Sequence, residues 1–146
     1  TKMNTKERYQ LQNEIFDYLL KGNNRLALPI SQQLYLENKG SSEAVILYAW
    51  ALLENNQPSQ AEILMKKSEE LSTDSILTSI CRAYLQMRLS NFEEAVYNFN
   101  MVEGRQKQLL AYTYLNKAKA LAIIGEIEKA NNFYLNFYFL TIPPLN

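Results

Sequence analysis

The sequence predicts an all-α chain of consecutive helical hairpins, and three observations carry that prediction. The first is self-similarity at a fixed period: Ala27, Ala61, Ala95 and Ala130 stand 34, 34 and 35 residues apart. The second is that two further columns keep step with the alanines. Twelve residues before them stand Ile15, Ala49, Ala83 and Ala118, and five residues before them Gly22, Asn56, Ser90 and Gly125. The third is sparse punctuation: only four glycines and four prolines interrupt 146 residues, and alternating β-branched runs are missing. Small side chains in two columns let antiparallel helices approach to about 8–10 Å. A Gly, Asn or Ser between them tolerates the left-handed conformation that a tight helix–helix turn requires.

The elements follow in order. A first helix over 5–21 carries Leu11, Ile15, Phe16, Leu19 and Leu20 at amphipathic spacing and closes at Lys21-Gly22. A second, over 25–38, contains Pro29 and closes at Lys39-Gly40. Helices over 42–55 and 58–71 form the next hairpin, with Pro58 in a first turn where its missing N–H costs nothing. Helices over 74–89 and 92–103 form the third, the latter opening at Asn91-Phe92-Glu93-Glu94, which resembles a capping box. A break falls near Gly104-Arg105. Helices over 107–124 and 127–141 form the fourth, closed by Pro143-Pro144. That last helix is apolar almost all round and needs cover on more than one face, from a partner chain or from a further helix.

Composition excludes most chemistry. Fifteen Lys+Arg balance fifteen Asp+Glu, leaving no cationic surplus to displace counterions from a nucleic acid. Histidine is absent, which removes the commonest general base and metal ligand, and with it the Ser/His/Asp and Cys/His constellations. A lone cysteine, Cys81, cannot build a thiolate metal site or an internal disulfide and fits a reducing, nuclear or cytoplasmic compartment. Glu69-Glu70, Glu93-Glu94 and Glu126/Glu128 are too close in sequence to share a site across a helix face. No Gly-rich phosphate loop, no run of about 20 apolar residues and no signal-peptide pattern occurs. The expectation is a non-catalytic protein with no cofactor, no metal, no small-molecule substrate and no membrane span.

With these columns the chain resembles the tetratricopeptide repeat (TPR), a 34-residue helix–turn–helix unit. The second copy carries Tyr48-Ala49, Leu52, Ala61, Met65 and Ser68 in the signature columns, and the third Ala83, Phe92, Ala95 and Phe99. The fourth carries Tyr114, Ala118, Leu121, Gly125, Ala130, Tyr134 and, one place late, Pro143. Ser79, Arg82 and Gln86 depart from the pattern, and the first copy, with Ile15 and Pro29, is the most divergent, as a terminal repeat often is. The resemblance implies one array over 1–146, with repeats near 8–41, 42–75, 76–110 and 111–144, belonging to an N-terminal fragment of a longer protein.

It also implies a superhelix whose concave wall is built by the first helix of each repeat. The family's groove columns fall on Ile46, Leu47, Trp50 and Leu53, then on Ile80, Cys81, Tyr84 and Met87, then on Leu115, Asn116, Lys119 and Ile123. A mostly apolar wall disfavours a clamp for acidic peptide tails. It calls for an occupant, and the first helix of a second chain, through Leu11, Ile15, Phe16 and Leu19, is a ready one. A homodimer is therefore expected. The stretch from Ala27 through Gln33-Leu34-Tyr35-Leu36-Glu37 to Ser42-Glu43-Ala44-Val45-Ile46-Leu47-Tyr48-Ala49 further resembles the N-terminal region of a TPR scaffold subunit of the anaphase-promoting complex. That resemblance implies a homodimeric scaffold within a multiprotein, cell-cycle ubiquitin ligase. The alternative is a monomeric peptide receptor of co-chaperone or import-receptor type.

Overall fold

Asn4 starts the first helix. Its side-chain oxygen accepts the Glu7 N–H at 2.8 Å while its own N–H donates to the Glu7 carboxylate at 3.2 Å, a reciprocal capping box. A computed structural model describes residues 3–71, 76–102 and 107–141, the side chains of 107–110 and 112 excepted. Among these residues it contains eight helices and no strand: α1 Thr5–Leu20, α2 Asn24–Glu37, α3 Ser42–Glu54, α4 Pro58–Leu71, α5 Ile76–Arg88, α6 Phe92–Asn100, α7 Lys107–Ile123 and α8 Ile127–Thr141. The expected start of the fifth helix at 74, end of the sixth at 103, break at Gly104-Arg105 and closing Pro143-Pro144 lie outside the described residues.

The turn column has one conformation throughout. Gly22, Asn56, Ser90 and Gly125 have φ of 80°, 62°, 62° and 89°, all left-handed. Each donates its N–H three residues back, to the carbonyls of Leu19, Leu53, Met87 and Ala122. The next residue donates five back, from Asn23 to Tyr18, Gln57 to Leu52, Asn91 to Gln86 and Glu126 to Leu121. These paired bonds form a Schellman motif, which satisfies the last carbonyls of the first helix. The same four residues open the second helix, because their carbonyls accept the N–H groups of Ala27, Ala61, Ala95 and Ala130. The five-residue interval between turn and alanine columns is thus fixed by main-chain hydrogen bonds.

One local expectation is corrected. Asn91 makes no side-chain cap with α6; its amide donates to the Gln86 side-chain oxygen at 2.9 Å instead. The Schellman bond already commits the Asn91 backbone, and ψ of 70° is not the extended value seen at the true cap, Asn4.

The chain forms two compact units, residues 1–81 and 82–146. In the first, α1 packs on α2 and α3, α2 on α3, and α3 on α4. Both small columns are buried here at Ile15, Ala27, Ala49 and Ala61. Tyr35 of α2 stacks on Tyr48 of α3 with ring centroids 5.3 Å apart, and Lys67 of α4 donates to the Tyr35 hydroxyl at 3.3 Å. The Asn55 amide ties the second turn to the first by donating to the Asn24 carbonyl at 2.9 Å. Ser42 and Ser68, both buried, join hydroxyls at 2.9 Å. In the second unit Ala83, Ala95 and Phe99 form a buried cluster with Met87 against it, and the Tyr84 ring meets Phe99 edge-on. α7 packs on α6 and α8, with Tyr114 against Phe133 and the Lys117 ammonium 3.9 Å from the Phe133 ring centre.

The turn geometry has a direct test. A Cβ at Gly125 meets nothing within 4 Å, so a substitution there is opposed by backbone conformation alone. Gly125→Ala should lower stability by about 1 kcal/mol, and Gly125→Asn by less, measured by urea unfolding.

Candidate interaction surface

The apolar positions expected to face a partner separate into two sets. Ile15, Leu19, Ile46, Leu47, Trp50, Leu53 and Ile80 are buried within the single chain; Leu11, Phe16, Tyr84 and Met87 are partly exposed. Trp50, the expected anchor, is 2% exposed. The premise that α3 presents an open wall which only another polypeptide can fill is therefore corrected. The reason is α1 of the same chain, which lies on α3 and sets Phe16 edge-on against Trp50, with centroids 5.9 Å apart at 77°. Ten of the thirteen α3 residues are buried, as a helix apolar on all sides requires. In the fourth repeat Asn116 is buried and donates to the Tyr84 hydroxyl at 2.8 Å, whereas Lys119 and Ile123 are exposed.

Chemical candidates find structural roles. Cys81 is fully buried, and burial, reinforced by the Glu54 carboxylate, holds its thiol far above the ordinary range. Such a thiol is protonated and shielded, the opposite of a nucleophile. Among the described residues no three carboxylates or thiols gather as a metal site. A cleft of about 560 Å³ opens at the first two turns, lined by residues 22–26 and 54–56, and is spanned by the amide bond from Asn55 to Asn24.

Exposed apolar side chains are scattered over several helices, among them Ile63 and Tyr97, and five of them share one side of α8. Ala130, Phe133, Phe137 and Leu140 turn one side of this helix inward or partly so. Ile127, Tyr134, Leu135, Tyr138 and Phe139 occupy an arc of about 140° on the other side. Phe139 is 72% exposed and Tyr138 53%. Ile123 and Ile124, before the α7–α8 turn, are exposed as well. Comparison of the repeats explains this face. Four residues after the alanine column, Ser31, Met65 and Phe99 are buried, whereas Tyr134 is not. Eight residues after it, Tyr35 is covered by Tyr48 from the first helix of the next hairpin; its counterpart is Tyr138. Tyr134 and Tyr138 thus stand at positions that the first unit covers in α2, whereas the counterparts of Leu135 and Phe139, Gln32 and Leu36, are exposed there.

No family model and no curated protein sequence matches the chain. A solved structure of PilF from Pseudomonas aeruginosa, a TPR protein, superposes with a TM-score of 0.69 at 13% identity, covering 92% of this chain and 61% of that one. This chain has the TPR helical-hairpin fold. It spans less than two thirds of PilF, and the likeness is one of architecture. Among the described residues no helix is long and apolar enough to cross a membrane.

Burial of Cys81 predicts a pH dependence. The unfolded thiol ionises near pH 8.5 while the folded one stays protonated, so the native state binds more protons above that pH. Stability from this group is intact below about pH 8.5 and falls as pH rises, by up to about 1.4 kcal/mol per unit. Urea midpoints at rising pH should therefore drop more steeply for the native sequence than for Cys81→Ala. A maleimide reagent should label Cys81 only after unfolding.

Proposed function

We propose that the chain is a protein-interaction module whose docking surface is the outer face of α8, which receives an amphipathic helix. The observation that carries this reading is the equivalence of Tyr138 with Tyr35. Within the chain, the Tyr35 position seats the ring of a following helix, and Tyr138, with Phe139 edge-on beside it, stays half-exposed at the same position.

The reading of a dimer filled by a second chain's first helix has a competitor in place, since α1 of the same chain covers Trp50. A scaffold role in an assembly of the anaphase-promoting type rests on the resemblance of the Ala27–Ala49 stretch. There Leu34, Ala44, Val45, Ile46 and Leu47 are core, so that stretch supports the hairpin packing first. A peptide-receptor role is nearer to the surface the chain exposes.

The test is titration of isotope-labelled chain with a synthetic peptide of residues 41–55, the chain's own example of a first helix. Saturable shift changes confined to 123–139, abolished by Phe139→Asp, are expected. Absence of saturable changes on α8 would remove the docking reading.

A further inference from the structure

We propose that the occupant of the α8 face is a second copy of this chain, bound through a closed two-fold interface in which α8 lies antiparallel to α8 of the partner. The proposal rests on the reading of this face as a docking surface and adds what docks there.

Area comes first. Aromatic side chains bury roughly 150–250 Å² each when covered, so the half-exposed Tyr134, Tyr138 and Phe139 with Ile127 and Leu135 offer on the order of 600 Å² per copy. A standard interface takes about 800 Å² from each partner, which places this face near the low end of specific interfaces. It is also at the upper end of what a monomer usually leaves exposed.

Charge comes second. From Ala130 to Thr141 there is no ionisable group other than the tyrosine hydroxyls, so two copies meet there without like-charge repulsion. Nothing formal on the face selects a partner of opposite charge. The charged residues of α8, Glu128 and Lys129, stand in its first turn. An antiparallel pair sets that turn beside the partner's uncharged C-terminal turn, and the two helix dipoles then oppose one another favourably.

Symmetry comes third. A two-fold contact uses the same patch on both copies and closes at two. Pairing α8 with α8 sets Tyr134, Leu135, Tyr138 and Phe139 against their copies, with Asn131 inside the same arc available to bond across it. The uncharged stretch is centred near Leu135, which therefore lies close to the two-fold axis.

Sedimentation equilibrium of the 146-residue chain, from about 1 to about 100 micromolar, tests the proposal. A monomer–dimer equilibrium is expected, shifted at least tenfold toward monomer by Phe139→Asp or Tyr138→Lys with unchanged helical circular dichroism. Both side chains are mostly solvent-facing, so neither change enters the core. Leu135→Cys should form a disulfide-linked dimer under mild oxidation, because native Cys81 is buried and stays silent. A chain that remains monomeric throughout, or a dimer indifferent to both charge substitutions, would overturn the proposal. A dimer whose Leu135→Cys form does not cross-link would overturn the two-fold arrangement. Should the chain be monomeric while the peptide of residues 41–55 still perturbs α8, the second copy falls and the docking surface stands.

Discussion

The hairpin turn, closed by one left-handed residue, is the constraint on which the rest of the structure depends. Each Schellman pair uses the last free carbonyls of one helix and hands the chain to the next within a single residue. The alanine whose N–H makes the first bond of the second helix then falls at a fixed place, and it is buried in all four hairpins. A large side chain at that place would push the two helices apart just where the turn leaves them least room. The periodicity of the sequence is therefore the imprint of a backbone hydrogen-bond pattern, with side-chain size following from it. Asn56 and Ser90 reach the left-handed conformation at some cost, whereas Gly22 and Gly125 reach it freely.

Packing in the first unit follows from the position of α3. It contacts α1, α2 and α4, so it has almost no solvent side and its sequence is apolar nearly without interruption. Its polar groups are handled locally: Ser42 joins Ser68, and Tyr48 lies against Tyr35, where burial and the neighbouring phenol raise its pKa. In the second unit α7 bears the corresponding load between α6 and α8, with Asn116 bonded to Tyr84 and Lys117 laid over Phe133.

Much of this was legible in the residues. Periodicity located eight helices to within a few residues and singled out the turn positions, because backbone geometry forces a small or permissive residue there. What the sequence did not disclose was which apolar face has its cover in the same chain. Trp50 and Phe139 are equally apolar in a pattern, yet one meets Phe16 and the other meets water. Helical spacing places a side chain on a face but says nothing of the helix opposite, and that depends on which hairpins stack. The cap at Asn91 was misjudged for a related reason: its amide had a nearer acceptor in Gln86, brought close by the turn. Eight residues beyond the alanines stand Tyr35, Glu69, Glu103 and Tyr138, so the column alone does not single out an aromatic position.

α1 and α8 differ in what they leave exposed. α1 carries Lys6, Gln10, Asn13 and Glu14 on its solvent side, with Tyr9 beside them. α8 differs: its inner side packs on α7 through Ala130 and Phe133, while its outer side exposes Leu135 and Phe139 where α4 has Lys66 and Glu70. Stability of the α7–α8 pair does not require those outer rings, since Phe139 is mostly solvated in the folded chain. Leaving them apolar gains nothing for folding and carries a standing risk of unwanted association. Polar residues at Leu135, Tyr138 and Phe139 would have removed that risk at little cost to the core. Their large apolar character is what docking on the outer face of α8, as proposed, accounts for, whereas the apolar wall of α3 is already covered by α1 of the same chain.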